Sequence, residues 1–268
     1  MVEAGRPDGP AIVFIHGLAS SSSAWTGLLG HQELARRFRL IAFDLRGHGQ
    51  SATDLKPEQL TAEGPAAGAR LWSQDLDAVL SGVESPILVG WSFGGGVVQS
   101  WLQTHRGPGS ASAAVLLCVP NVFGPVPAGD AAGNLVTPAT LGVLAGAAGD
   151  GRSFARLILA DGPGDTSFCA ELADQVTATA EATPAGTVAG ALSYLNDFRP
   201  FLASMNDADR GRLTAVAAQG DQVFDHQAVS EVWAQVGVRT RSVPDAGHAL
   251  SIRHPDRLAR ILLDIADS

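Results

Sequence analysis

The sequence has 268 residues, 46% of them hydrophobic, and a formal net charge of −9 at pH 7. A chain of this length and apolar content can bury a substantial core, which excludes an intrinsically disordered protein. The acidic balance repels the phosphate backbone of nucleic acids, so we expect no nucleic-acid partner.

The chain begins with MVEAGRPDGP, which lacks the basic and then apolar stretches of a signal peptide. No apolar run is long enough to span a bilayer. These features predict a cytoplasmic protein without a membrane span. The two cysteines, Cys118 and Cys169, have neither disulfide-framework nor metal-ligand spacing, and Cys118 is interpreted as a core residue.

Short apolar segments recur along the chain and predict the strands of a sheet. The first four are almost entirely apolar, which is typical of parallel strands that are covered on both faces. The six predicted strands are residues 11–15, 40–43, 86–89, 113–119, 213–218 and 238–243.

Longer segments separate these strands, and several of them predict helices. In residues 66–83, for example, Leu71, Leu76 and Val79 recur at a spacing that gives a helix one apolar face. The alternation of strand and helix predicts an α/β fold with a mainly parallel sheet and helices on both faces. The predicted helices are residues 23–38, 66–83, 93–105, 226–236 and 255–266.

Residues 121–210 interrupt this alternation. They contain no strong apolar run, many small residues, and turn signals such as GPVP and ATPAG. A structureless loop of this length is not expected within a compact domain, so we predict a mostly helical insertion. The core domain would then comprise residues 1–120 and 211–268.

The strongest chemical signal is the sequence Gly-Trp-Ser-Phe-Gly at residues 90–94, between a predicted strand and a predicted helix. This context is that of a nucleophile elbow, in which a serine stands on a sharp turn between small neighbours. The turn exposes the hydroxyl, and the N-terminus of the following helix favours developing negative charge. Ser92 is therefore the candidate nucleophile, and the backbone N–H of Phe93 is a candidate oxyanion donor.

The loop after the first predicted strand is expected to supply a second oxyanion donor. His16-Gly17-Leu18 follows that strand, and the N–H of Leu18 is the simplest candidate. We interpret His16 as a residue that orients this loop rather than as a base. His48, in the tight turn after the second predicted strand, is also interpreted as structural.

The last predicted strand leads into Asp-Ala-Gly-His at residues 245–248, which makes His248 the candidate general base. The sequence offers three candidates for the acid that orients His248. Asp221 follows the next-to-last strand and is preferred. Asp225 is the rival, although its position also predicts the N-cap of a helix, and Asp44 is a further alternative.

These segments together resemble the α/β-hydrolase superfamily. The resemblance rests on His16-Gly17, the run DLRGHGQS, the elbow GWSFGG and the chain order Ser, Asp, His. It covers most of residues 11–119 and 212–266, and within the superfamily the chain is similar to the esterase, perhydrolase and lactonase branch. It implies the α/β-hydrolase fold and makes the insertion a cap.

Two features depart from the family pattern. Ala218 stands three residues before the acid, where the family usually has glycine. Relatives begin with a strand pair, whereas here only ten residues precede the first predicted strand. We therefore expect a shortened N-terminus and a sheet of about six strands. The elbow serine also distinguishes the chain from epoxide hydrolases and haloalkane dehalogenases, which use aspartate there.

The combination predicts a serine hydrolase that cleaves an ester, thioester or lactone bond of a small hydrophobic acyl substrate, without a metal or cofactor. Aromatic side chains favour an apolar pocket, with Trp91, Phe123, Tyr194 and Phe198 as candidates. The same groups could serve an acyltransferase, or a lyase or cyclase step. The fold could also act as a ligand-binding receptor or scaffold with slow chemistry. The sequence leaves the oligomeric state open.

Overall fold

The computed structural model describes residues 1–51, 65–105, 110–123, 130, 132, 135–193 and 196–268. Its strands in chain order are β1 (Val2–Gly5), β2 (Ala11–Ile15), β3 (Arg39–Phe43), β4 (Ile87–Trp91), β5 (Ala113–Leu117), β6 (Val122–Phe123), β7 (Asn196–Asp197), β8 (Leu213–Ala218) and β9 (Arg239–Val243). Within the described residues, seven of them form one sheet in the order β1-β3-β2-β4-β5-β8-β9.

Neighbouring strands of the large sheet are parallel, except for the pair of β1 and β3. Strands β2, β4 and β8 are buried at every position. Because successive side chains of a strand point to opposite faces, complete burial means that both faces of the sheet are covered. The predicted α/β fold with a mainly parallel sheet is confirmed.

The strand β1 is the main difference from the expected sheet. It pairs antiparallel with β3, with Val2 opposite Ala42, and so adds a seventh strand at the edge. The ten residues before β2 are too few for a hairpin with β2, but β1 does not need one because its partner is β3. Its four residues are mostly exposed, so they carry no apolar run that a sequence pattern could detect.

Helices connect the strands and pack on the sheet. Those of the core are α1 (Thr26–Leu29), α2 (Gln32–Arg37), α3 (Pro65–Val79), α4 (Phe93–Thr104), α11 (His226–Ala234), α12 (Leu250–Arg253) and α13 (Pro255–Ala266). Those between β5 and β8 are α5 (Pro138–Ala145), α6 (Gly151–Leu159), α7 (Ala170–Glu181), α8 (Ala185–Leu192), α9 (Arg199–Ala203) and α10 (Asp207–Gly211).

Large aromatic side chains fill the space between helices and sheet. Trp25, Trp72, Trp91 and Trp233 are each at most 2% exposed. Such side chains contribute most to core stability, and a buried indole N–H usually requires an acceptor. Trp233 meets this requirement, since its Nε1 donates to the carbonyl of Val119 at 2.8 Å and so fixes α11 against the end of β5.

The segment between β5 and β8 is mostly helical in its described residues, as expected for the insertion. Thr137 and Asp150 cap α5 and α6 by accepting from backbone amides of their first turns. The apolar face of α6 includes the buried Phe154 and Ile158, and it packs on α7. Among the described helices, none has the length and apolar character required to cross a membrane.

Candidate active site

Ser92 lies at the sharp turn between the end of β4 and the start of α4. Its backbone has φ 53° and ψ −121°, a conformation that L-residues rarely adopt and that costs roughly 1–3 kcal/mol. Two backbone hydrogen bonds hold this turn: Ser92 N donates to Leu117 O at 2.9 Å, and Gly95 N donates to Ser92 O at 2.8 Å. The strain identifies the elbow, and these hydrogen bonds show what maintains it.

The glycines around Ser92 are required by close backbone approach. A Cβ placed on Gly90 would lie 2.7 Å from Gly94 O, and one placed on Gly94 would lie 2.3 Å from Ile15 O. A Cβ on Gly95 would lie 2.5 Å from Cγ1 of Val119. These distances are shorter than van der Waals contact. The motif therefore allows α4 to begin directly against the ends of β2 and β4.

His248 and Asp221 form a buried hydrogen-bonded pair. His248 Nδ1 lies 2.8 Å from Asp221 Oδ2, and the two side chains are 1% and 3% exposed. The other oxygen, Asp221 Oδ1, accepts from the amides of Val223 at 2.7 Å and Phe224 at 3.1 Å. Since a carboxylate oxygen only accepts, Nδ1 of His248 carries the proton and Nε2 is left as the basic nitrogen.

Ser92, Asp221 and His248 follow the carboxyl ends of β4, β8 and β9, which are parallel strands of one sheet. They therefore lie at the same edge of that sheet. The alternative acid Asp225 instead caps α11, where Oδ1 accepts from Ala228 N at 2.8 Å. The structure therefore pairs His248 with Asp221 rather than with Asp225.

Trp91, a pocket candidate in the sequence, lies beneath the elbow and contacts His248. It is 2% exposed, and its Nε1 donates to the carbonyl oxygen of His248 at 2.8 Å. The centres of the two rings are 5.6 Å apart, and the ring of Phe224 lies at the same distance from that of His248. No local sequence pattern indicates this hydrogen bond, because it joins residues 157 positions apart.

The thiol of Cys118 lies beside the same pair. Donor atoms of Cys118, Asp221 and His248 all lie within 4.8 Å of one another, a group that could in principle hold a metal ion. However, burial, followed by the charge of Asp221, raises the pKa of the thiol well above its usual value, so the sulfur keeps its proton. Asp221 and His248 are also already bonded to each other. The group fits a hydrogen-bonded cluster better than a metal site.

The loop after β2 lies against the elbow. A Cβ placed on Gly17 would lie 3.3 Å from Cβ of Ser92, so the predicted oxyanion loop and the candidate nucleophile are neighbours. His16 is fully buried. Its Nε2 accepts from Leu45 N at 3.0 Å, so Nδ1 carries the proton and donates to Gly17 O at 2.8 Å. Burial lowers the pKa of His16, which is neutral and orients the loop.

The turn after β3 is also tied into this edge. Asp44, the alternative acid, accepts from Ser22 N at 2.6 Å and from Gln50 N at 2.9 Å. Burial alone would raise its pKa, but these hydrogen bonds outweigh burial and lower it. Asp44 therefore joins two loops. His48 Nδ1 donates to Arg46 O at 3.2 Å, and the His48 ring stacks on Phe93 with centres 6.4 Å apart.

The remaining pocket candidates lie in the segment between β5 and β8. Phe198 is fully buried and packs edge-to-face on the half-buried Phe123, with ring centres 6.2 Å apart. Tyr194 lies outside the described residues. A cavity of about 40 Å³ lies beside Trp91 and the turn after Leu18, and helices α6 and α7 supply much of its apolar wall. A larger cavity of about 180 Å³ lies at the opposite edge of the sheet, at the starts of β5 and β8.

A family model described as "alpha/beta hydrolase fold" matches residues 10–255. The match includes the elbow, the Asp221–His248 pair and the segment between β5 and β8. The chain belongs to the α/β-hydrolase fold family.

Sequence relatives match only parts of the chain. An uncharacterized protein of Mycobacterium tuberculosis is 43% identical over 93 residues, which are 35% of this chain and 25% of that protein. The match thus spans about a quarter of that relative. The bifunctional esterase/perhydrolase of Acinetobacter calcoaceticus is 30% identical over 118 residues, which are 43% of this chain and 39% of that protein.

Solved structures match over nearly the whole chain. A bromoperoxidase from Bacillus anthracis superposes with a TM-score of 0.80 at 19% identity, covering 100% of this chain and 94% of the other. An esterase from Rhodococcus sp. ECU1013 superposes with a TM-score of 0.77 at 23% identity, covering 98% and 93%. At these identities the likeness supports the fold.

Proposed function

We propose that the protein is a serine hydrolase that cleaves an ester, thioester or lactone bond of a small hydrophobic substrate through an acyl-enzyme. The observation that carries this proposal is the buried 2.8 Å hydrogen bond between His248 and Asp221, at the sheet edge where Ser92 stands on a strained turn. A buried His–Asp pair beside an elbow serine is the arrangement that activates a hydroxyl nucleophile.

In this mechanism, Nε2 of His248 takes the proton of Ser92 Oγ as Oγ attacks the acyl carbonyl. The backbone N–H groups of Leu18 and Phe93 stabilise the oxyanion. Asp221 keeps the proton of the imidazole on Nδ1 and stabilises the imidazolium. His248 then returns its proton to the leaving alcohol or thiol. Water, activated by the same imidazole, releases the acyl group in the second half of the reaction.

We further propose that residues 121–210 act as a cap that determines the substrate. The cavity beside Trp91 is about 40 Å³ in volume and is lined by apolar residues such as Ile158, Leu172 and Val176, which supports a small, neutral and mainly apolar acyl group. Phe123, Phe198 and Tyr194 remain pocket candidates within the same segment.

One relative favours a second activity of the same site. The Acinetobacter protein is named as both an esterase and a perhydrolase. We therefore include acyl transfer to hydrogen peroxide as an alternative second half-reaction. Peroxide added at constant substrate concentration should then divert the acyl group from carboxylic acid to peracid, and unchanged product composition would exclude this alternative.

A fluorophosphonate labelling experiment tests the main proposal. Intact-mass spectra of the wild type, Ser92→Ala and Ser193→Ala would be compared after incubation with the probe, and the adduct located by peptide mapping. Ser193 lies at the exposed end of α8 and serves as the matched control. We expect one adduct on Ser92 in the wild type and in Ser193→Ala, and none in Ser92→Ala.

Turnover of short-chain aryl esters should follow the same pattern, with kcat of Ser92→Ala reduced by about three orders of magnitude or more. A folded wild-type protein that neither reacts with the probe nor turns over esters, thioesters and lactones would contradict the proposal. A binding role would then be the better interpretation.

A further inference from the structure

Asp161, in the loop after α6, contacts the backbone next to His248. Its Oδ1 accepts from the N–H of Gly247 at 2.7 Å. Gly247 directly precedes His248, so this hydrogen bond fixes the peptide that carries the imidazole. The contact joins residues 86 positions apart and links the insertion between β5 and β8 to the core.

The backbone around Asp161 touches both loops that carry the His–Asp pair. A Cβ placed on Gly247 would lie 1.9 Å from Ala160 O, and one placed on Gly220 would lie 1.9 Å from Asp161 O. Gly220 directly precedes Asp221, and its N–H donates to Ala246 O at 2.9 Å. Only glycine at positions 220 and 247 allows this approach. Two successive carbonyl groups of the insertion therefore pack against the residues before the base and before its acid.

The carboxylate of Asp161 is itself held firmly. Arg253 donates to Oδ2 through Nε at 3.1 Å and Nη2 at 2.6 Å, and Nε2 of His254 lies 2.9 Å from the same oxygen. The side chains of Asp161 and Arg253 are 17% and 12% exposed, so this pair is largely shielded from water. Charge-assisted hydrogen bonds of this kind are short and directional. Asp161 is thus fixed between the residue before His248 and the end of α12.

We propose that Asp161 is a positioning residue, which couples the insertion to the orientation of the His248 imidazole. The inference rests on the proposed function, since it assigns the residue a part in the same site. Asp161 does not reach the reacting atoms. It holds the Gly247 amide, and through it the direction in which Nε2 of His248 points. Loss of this anchor lets the imidazole depart from the line between Asp221 and Ser92.

Three variants test the proposal. Asp161→Ala removes the acceptor for Gly247 N. Asp161→Asn keeps one oxygen that can accept from Gly247 N, but its amide NH2 then faces the donors of Arg253, so it should restore only part of what alanine loses. Asp150→Ala is the matched control, because it removes the N-cap of α6 in the same segment without touching the His248 loop. If Asp161→Ala does not fold, Asp161→Glu serves instead. It retains the charge for Arg253, but its additional methylene displaces the carboxylate from the position that accepts from Gly247 N.

The first measurement is steady-state kinetics on an aryl ester. We expect kcat of Asp161→Ala to fall on the order of 10- to 100-fold, because small misplacements of a catalytic group have effects of this size. KM should change by less than about threefold, since the substrate pocket is intact. Asp161→Asn should lie between Asp161→Ala and the wild type in kcat, and Asp150→Ala should match the wild type in kcat.

The second measurement does not depend on turnover. The ring ¹⁵N signals of His248, assigned by their loss in His248→Gln, report its tautomer and its hydrogen bond to Asp221. We expect them to shift or broaden in Asp161→Ala and to stay unchanged in Asp150→Ala. Wild-type signals in Asp161→Ala, or an equal loss of kcat in Asp150→Ala, would overturn the proposal. A wild type that neither reacts with the fluorophosphonate nor turns over esters, thioesters and lactones would refute the proposed function alone, and the ¹⁵N spectra would still decide the role of Asp161.

Discussion

Replacement of Gly94 by alanine tests how the elbow is packed. The added methyl would lie 2.3 Å from Ile15 O and 2.5 Å from His16 O, whereas carbon and oxygen in contact are normally about 3.3 Å apart. The start of α4 must therefore move by roughly 1 Å from the end of β2. Overpacking of this kind costs about 1–3 kcal/mol. Alanine recovers at most about 1 kcal/mol through its higher helix propensity.

We expect Gly94→Ala to lower the free energy of unfolding by about 1–2 kcal/mol, measured as a lower urea midpoint at an unchanged m-value. Gly142→Ala in α5 is the matched control, because a Cβ there meets no atom within 4 Å. It should raise stability by about 0.5–1 kcal/mol. If Gly94→Ala unfolds at the wild-type midpoint or above it, the packing argument is wrong.

Three further predictions concern the surroundings of the elbow. Asp221→Asn should lower kcat by about three to four orders of magnitude. Asp225→Asn keeps the helix cap and should leave kcat within about twofold of the wild type. The reverse result would make Asp225, and not Asp221, the acid that orients His248. Trp91→Phe removes the donor to the carbonyl of His248. We expect kcat to fall by about tenfold and the urea midpoint to fall by an amount equivalent to about 1–2 kcal/mol. An unaltered kcat would show that this hydrogen bond does not orient the base. Burial lowers the pKa of His48 to about 3. The unfolded chain binds this proton below about pH 6.5, so the free energy of unfolding should decrease as the pH falls from 6.5 towards 3. His48→Phe should flatten that decrease in urea titrations at several pH values. An identical slope would contradict the pKa shift assigned to His48.

The sequence was most informative where structure depends on local patterns. The apolar runs predicted β2 to β5 and β8, because central parallel strands need apolar residues on both faces. The strand β9 was also predicted, but it lies at the sheet edge and only Val243 of its five residues is buried. The glycines around Ser92 predicted the elbow, since few other local structures need three of them so close together. The α/β-hydrolase resemblance followed from these short segments, and the family match confirms it.

The sequence was least informative where contacts join distant residues. It ranked Asp221 above Asp225 because Asp225 also fits the N-cap of a helix, but the bond to His248 depends on how β8 and β9 are placed side by side. Asp161 was not noticed, because an aspartate in a loop carries no local signal of a partner 86 residues away. The edge strand β1 was missed because an exposed strand of four residues lacks an apolar pattern.

The left-handed backbone of Ser92 has an evolutionary consequence. The strain arises from the backbone conformation of the turn and does not depend on the hydroxyl. Any L-residue at position 92 therefore has a similar conformational free-energy cost, which only glycine avoids. Exchange of one nucleophile for another, such as serine for cysteine or aspartate, therefore adds no new backbone strain. A descendant that no longer needed a nucleophile would gain stability by drifting to glycine.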